Sequence, residues 1–206
     1  MSKIGIICAM DDEVIAIKRK MHIEQIDEKM QMLFYRGLLE ETEVVVVRCN
    51  VGKVSAAVCT QTLIDAYGVS YIISVGLAGG LSPDLLVGDI VLAGDTTQIE
   101  NLIPIQGELQ KLWDTERVFI GHITSSDQFL ESIELKGKHT TFTAYCAEME
   151  GIAIAHACYL SDIPFIMMRS ISDQADPALT INYDDFSHIA SKNASEFVDQ
   201  IICRIK

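Results

Sequence analysis

A chain of 206 residues, 49% hydrophobic and 22% charged, is long enough for one sizeable core and has the balance of a soluble globular protein. Its net charge of −13 and pI near 4.7 repel phosphate backbones and anionic membranes, which sets aside nucleic acid and lipid surfaces as partners. No stretch approaches the length of about 18 apolar residues that a membrane span needs, and the apolar run before Asp11 and Asp12 is too short for a signal peptide, so a cytoplasmic protein is expected.

Six cysteines, Cys8, Cys49, Cys59, Cys146, Cys158 and Cys203, show neither Cys-x-x-Cys pairs nor neighbouring histidines at metal-ligand spacing. They read as reduced packing residues rather than disulfides or a zinc site. In chain order, Lys3 to Cys8 is a β-branched run predicted as the first strand. Asp11-Asp12-Glu13 then opens a helix whose first-turn acids complement the backbone dipole, with Val14, Ile15 and Ile17 on its apolar face. On pattern alone these acids read as caps, and Glu13 does not stand apart from its neighbours. Met30–Tyr35 and Thr42–Arg48 are predicted as strands joined by a turn at Gly37. A helix over 53–67 follows, its stripe formed by Val54, Ala57, Val58, Thr62 and Leu63 and its end set by Gly68. Gly52-Lys53 is not a nucleotide-binding loop, because Val54 stands where the Walker pattern needs Ser or Thr.

Tyr71 to Val75 is the next buried strand, closing on Gly76-Leu77-Ala78-Gly79-Gly80, where glycines allow a ligand to approach the backbone. Val87 to Ala93 is a further strand, with Gly88-Asp89 turning into it. From Asp95 to Glu116 the pattern is that of a loop or cover holding the only tryptophan, Trp113, and facing a ligand or another subunit. Val118–Ile123 and Thr140–Cys146 are predicted strands, separated by a polar turn from Ser125 to Phe129. Met149, Ile152, Ala153, His156, Ala157 and Leu160 recur at helical spacing, with His156 as a core histidine. Pro164 to Met168 suits a strand buried on both faces, and Arg169, Ser170, Ser172 and Asp173 follow its carboxyl end, where open α/β sheets bind ligands. Alone, Glu148 and Glu150 would be helix-opening charges, and Asp173, Asp127 and Asp176 loop caps. The last helix is predicted over 183–205, capped by Asn182, with Phe186, Ile189, Ala190, Ala194, Phe197 and Ile201 on one face. Strands and helices alternate without linker or repeat, which argues a single α/β layer structure.

With these pieces in order, the chain resembles the purine nucleoside phosphorylase superfamily and, within it, the bacterial 5′-methylthioadenosine/S-adenosylhomocysteine nucleosidases. The likeness rests on Gly5 to Val14, Val51-Gly52-Lys53-Val54-Ser55-Ala56-Ala57, Gly76 to Gly80 with Val87 to Val91, Glu148-Met149-Glu150, and Pro164-Phe165 with Arg169 to Asp173. It implies a single three-layer α/β domain over residues 1–206, a mixed central β-sheet flanked by helices, and a homodimer. The implied activity is hydrolysis of the N-glycosidic bond of 5′-thio-substituted adenosines without metal or organic cofactor, the partner being a small-molecule purine nucleoside.

Such chemistry needs an acid for the departing base, a base for water, and a grip on the ribose at an oxocarbenium-like centre. By resemblance, Asp173 is the acid at purine N7, just past a buried strand where a carboxyl can keep its proton, with Ser172 supporting it. Glu13 activates water, and its charge disfavours phosphate as nucleophile. Glu150 holds the ribose hydroxyls, Met149 packs on the sugar, and Arg169 stands by water and ribose. Phe129 stacks on the purine beside Leu130, while Tyr183 and Val51 wall the 5′ pocket. Glu148, Ala78 and Gly79 join the substrate contacts. Two departures stand out. Leu77 replaces the family's serine and removes a polar contact to water or Glu13, a loss of about 1 kcal/mol or more. The 95–116 segment is also shorter than the family's, leaving Ile99, Leu102, Ile103 and Ile105 as its apolar residues. Another purine nucleoside, such as 5′-deoxyadenosine or futalosine, or a nucleoside-binding module without turnover, are the competing readings.

Overall fold

The β-branched opening run forms β1 (Ile4–Cys8), buried at every position as a central strand requires. The computed structural model describes residues 3–95, 117–128, 144–173 and 183–205. After β1 come α1 (Asp11–Lys18), β2 (His22–Lys29), β3 (Met32–Leu39), β4 (Thr42–Arg48), α2 (Lys53–Tyr67) and β5 (Tyr71–Gly80). They are followed by β6 (Ile90–Asp95), β7 (Val118–Ser125), β8 (Ala144–Glu148), α3 (Gly151–Leu160), β9 (Phe165–Asp173) and α4 (Tyr183–Ile205). No described helix is long and apolar enough to cross a membrane.

Among the described residues the strands form one mixed sheet in the order β2-β3-β4-β1-β5-β8-β7-β6-β9, and β9 returns to pair with β5. Ten residues of β5 make that closure possible. Its first half pairs with β1 from Tyr71 to Ser74, its end pairs with β8 through Gly79 and Gly80, and β9 runs along the other edge from Ile72 to Gly79. Five strands therefore close into a ring, from which β1, β4, β3 and β2 extend as an open wing.

Helices cover both faces, giving three layers. On one side α2 and α3 place Cys59, Leu63, Tyr67, Ile154 and Cys158 against the sheet. On the other, Val14 and Ile17 of α1 and Phe197, Val198 and Ile201 of α4 close the second core. Burying aliphatic side chains of this size contributes about 1.5–3 kcal/mol each before chain entropy is counted.

Several predicted details change. Gly37 is no turn: it pairs with Ile23 and Val44 within β3, and a Cβ there would lie 2.0 Å from the His22 carbonyl oxygen. The turn falls at Glu40 and Glu41, both at positive φ. The strand predicted over 71–75 runs on through the glycine-rich residues to Gly80. The predicted stripe of α2 is split: Val54 is 81% and Val58 38% exposed, whereas Leu63 is buried together with Ala56, Cys59, Thr60 and Tyr67. In α3, too, Gly151, Ile154, Ala155 and Cys158 are buried, whereas His156 and Leu160 face solvent. Ile189 is half exposed on α4, although Ala190, Ala194, Phe197 and Ile201 are buried as predicted. Five of the cysteines are buried thiols and Cys203 is exposed. Trp113, Asn182, Asp176 and most of the 95–116 segment lie outside the described residues.

Candidate active site

The carboxyl ends of β1, β5 and β9 converge on one pocket, and each brings an acid or the backbone that holds one. At the end of β1 the chain turns into α1, and Glu13 folds back onto the start of its own helix. Its Oε2 accepts N–H bonds from Ala9 and Met10 at 2.8 and 3.0 Å, and its Oε1 accepts one from Leu77 of β5 at 3.0 Å. Glu13 is only 3% exposed. Burial pushes its pKa up to about 7 against the opposing pull of these N–H groups and of Arg169. Gly76 keeps the space beside it open: a Cβ there would sit 3.4 Å from both Glu13 Oε1 and Arg169 Nε.

A second network joins β8, β9 and α3. Arg169 of β9 is buried, with Nη1 donating to the Met168 carbonyl at 2.8 Å and to the Ser74 carbonyl and hydroxyl at 3.2 and 3.1 Å. Its Nη2 donates to Glu148 Oε2 at 2.7 Å. The same oxygen accepts the N–H groups of Glu150 and Gly151 at 2.9 and 2.6 Å, and Oε1 accepts the Ser125 hydroxyl. Burial works to raise the Glu148 pKa, but the guanidinium and these donors outweigh it and hold the carboxyl below its usual range.

Glu150 caps the start of α3 and accepts the Gly52 N–H on Oε1 at 2.7 Å, across to the loop before α2. Gly52 sits at φ +107°, where only glycine is unstrained, so that N–H direction depends on the missing side chain. Burial raises the pKa of Glu150. At the end of β9 the Ser172 hydroxyl lies 2.8 Å from Asp173 Oδ2 and 3.3 Å from the Ala78 carbonyl oxygen.

Of the predicted site residues, Glu13, Val51, Ala78, Gly79, Glu148, Met149, Glu150, Arg169, Ser172 and Asp173 line this single pocket. Phe129 and Leu130 lie outside the described residues, as does the side chain of Tyr183, which begins α4. Glu148 lines the pocket with both carboxylate oxygens accepting from protein donors, four in all. Leu77, whose side chain lacks a hydroxyl, bonds Glu13 through its backbone N–H instead. Ser125, Ser74 and Gly52 were not singled out from the sequence. Ser74 carried a signal, as the one serine inside the apolar run 71–75, and Gly52 stood in the Val51–Ala57 motif, whereas Ser125 had none beyond its polar turn.

A mixed sheet closed on β5, with acids gathered at the strand ends, defines the class of protein. The sequence model of the phosphorylase superfamily matches residues 3–117 and 104–203. A 5′-methylthioadenosine/S-adenosylhomocysteine nucleosidase of Staphylococcus haemolyticus is 32% identical, over 97% of this chain and 98% of its own length. Its alignment runs to 224 positions against a chain of 206 residues, so that relative holds residues this chain lacks. The nucleosidase of that name from Colwellia psychrerythraea, solved in complex with adenine, superposes with a TM-score of 0.91 at 30% identity, covering 100% of this chain and 96% of that one. The futalosine hydrolase of Helicobacter pylori also superposes with a TM-score of 0.91, at 25% identity over 98% of each chain. The chain belongs to the 5′-methylthioadenosine/S-adenosylhomocysteine nucleosidase family of the phosphorylase superfamily.

Proposed function

We propose that this chain, as one domain over residues 1–206, hydrolyses the N-glycosidic bond of 5′-methylthioadenosine and S-adenosylhomocysteine, releasing adenine and the 5-thio-substituted ribose. The observation that carries this is the convergence of Glu13 in α1 after β1, Glu150 capping α3 after β8, and Asp173 at the end of β9 on one pocket, each with different partners. Asp173 gives its proton to N7 as the C1′–N9 bond breaks, and the electron pair of that bond leaves with the base. Glu13 takes a proton from the water whose oxygen bonds to C1′. Glu150 holds the ribose hydroxyls as positive charge grows on the sugar. The Ser172 hydroxyl, within reach of both Asp173 Oδ2 and the Ala78 carbonyl, can donate to the carboxylate left behind.

Water is favoured over phosphate as nucleophile because the charged residues lining the pocket are four acids and one arginine, which is already paired with Glu148. The test is incubation of the purified protein with methylthioadenosine, with and without phosphate, while free adenine is followed. Release in both buffers is expected; none in either would end the reading, and release only with phosphate would make the protein a phosphorylase.

The likeness to futalosine hydrolase favours one alternative, a different 5′ group on the nucleoside. A competition panel of methylthioadenosine, S-adenosylhomocysteine, 5′-deoxyadenosine and futalosine separates them by kcat/KM. The protein is also proposed to be cytoplasmic and to work as a homodimer. Val51, Val54 and Val58 form an exposed apolar stripe that runs from the pocket rim along α2, and a second copy would cover it. Light scattering should give twice the chain mass, and Val54→Glu should shift it toward the monomer.

A further inference from the structure

Ser125 lies at the carboxyl end of β7, in register with Glu148 on β8 and one residue before the pocket-lining Ser126. Its hydroxyl has two roles at once. It donates to Glu148 Oε1 and accepts the N–H of Ile152, in the first turn of α3, at 2.9 Å. A helix begins with N–H groups that have no partner inside the helix. In α3 the first of these go to side chains from other elements: Glu150 and Gly151 to Glu148 Oε2, and Ile152 to Ser125 Oγ. The side chain of the capping residue Glu150 makes no side-chain cap bond to its own helix. It instead reaches across to Gly52 and into the pocket. That freedom exists because Ser125 and Glu148 do the capping in its place.

Gly151 tightens the arrangement. A Cβ on it would lie 2.1 Å from Met167 Sδ and 3.0 Å from Glu148 Oε1, so the helix start is pressed against β9 and the Glu148 carboxylate. Ser125 is the member of this network that holds Glu148 from the β7 side, opposite Arg169.

We propose that Ser125 is a positioning residue for Glu150: by fixing the Glu148 carboxylate and the first turn of α3, it aims the Glu150 carboxylate at the ribose hydroxyls. This rests on the nucleosidase reading above. It predicts a defect in substrate grip, because the hydroxyl bonds of Ser125 go to Glu148 and the Ile152 N–H, on the ribose side of the site.

The test compares Ser125→Ala and Ser125→Thr in the wild-type and Glu150→Gln backgrounds, with methylthioadenosine as substrate. Ser125→Ala is expected to raise KM about tenfold, the effect of one lost hydrogen bond to a charged group, with kcat within about threefold. Ser125→Thr, which keeps the hydroxyl, should bring KM back to within about threefold of wild type. In the Glu150→Gln background, Ser125→Ala should add no more than about twofold, since two residues acting through one carboxylate are not additive. An unchanged KM in Ser125→Ala, or the same penalty with and without Glu150, overturns the proposal. Should Ser125→Ala not fold, Ser125→Cys keeps the shape, weakens the hydrogen bond and carries the same comparison. If the wild type releases no adenine, the nucleosidase reading fails by itself. Calorimetry with intact methylthioadenosine then reads the same tenfold change as a dissociation constant, and an unchanged constant or no binding overturns this proposal too.

Discussion

Glu13 and Glu148 are buried almost equally, at 3% and 5% exposure, yet the protein drives them in opposite directions. Burial lifts Glu13 to about 7, and the backbone N–H groups and more distant guanidinium only partly offset it. Glu148 meets the same desolvation but also touches the Arg169 guanidinium and a hydroxyl, which together carry it below its usual range. The difference teaches that burial alone does not assign a role to a carboxylate; the partner does. An acid held only by backbone donors can exchange a proton near neutrality, whereas one locked to an arginine stays charged and holds structure.

The most direct way to break this comparison is to remove both charges in turn. Glu13→Gln should lower kcat by about 10²–10⁴-fold, the range for losing a positioned general base, while the variant stays folded. Glu148→Gln leaves the Arg169 charge buried without its counter-ion, so it should destabilise the fold by about 3–5 kcal/mol in a denaturant titration. If Glu148→Gln kept its stability and lost only turnover, the division between chemical and structural acid would collapse.

Titration sharpens the contrast, because the two groups carry opposite signs. Glu13 has a folded-state pKa above its unfolded value of 4.5, so between 4.5 and about 7 the folded protein binds a proton that the unfolded chain has released. Stability therefore falls as pH rises through that window, and above it ionised Glu13 costs about 3 kcal/mol. The gap between wild type and Glu13→Gln should thus move in the variant's favour by about that amount from pH 4.5 to pH 8. Glu148 is depressed, so its contribution is present above its unfolded pKa and is lost as pH falls through the lower folded value. In turnover, kcat/KM should rise with pH below about 7 as Glu13 becomes able to accept a proton. A flat profile would remove Glu13 from the role of base.

How much of this was legible beforehand depended on whether a local signal existed. The spans of α2 and α4 emerge at the predicted residues, because Gly68 ends the first in the left-handed conformation and a clear apolar face runs along the second. The predicted faces of α2 and α3 held only in part: Leu63 of α2 is buried as expected, but α3 is apolar nearly all round, so spacing alone did not mark its inner side. Small residues that approach the sheet closely, such as Ala56, Cys59 and Gly151, took the inside and left Val54, Val58 and Leu160 outside. The strand β2 escaped notice because it is a mostly exposed edge, and a register shift between Ile23 and Gln25 breaks its alternation. In the site, the order of motifs brought Glu13, Glu150 and Asp173 together. The resemblance gave Glu150 the ribose hydroxyls, but the residues of Glu148-Met149-Glu150 alone did not tell the two glutamates apart, since what separates them is an arginine on another strand and a serine on a third.

Leu77 supplies the smallest expected effect. A serine here would offer Glu13 or the water a hydroxyl, and its absence seemed to leave a buried acid short of a donor. The backbone removes that shortage: the Leu77 N–H reaches Glu13 Oε1 at 3.0 Å, in a stretch of β5 held by β9 pairing on both sides. A main-chain donor fixed by a sheet does not depend on which side chain the residue carries. Leu77→Ser should therefore change kcat by less than about threefold, close to the ±0.5 kcal/mol typical of substitutions that remove no essential contact. The half-buried leucine should show itself in KM, through lost apolar contact with the nucleoside. A gain in kcat of tenfold or more would mean that the backbone bond to Glu13 is not enough and that the water itself needs the hydroxyl.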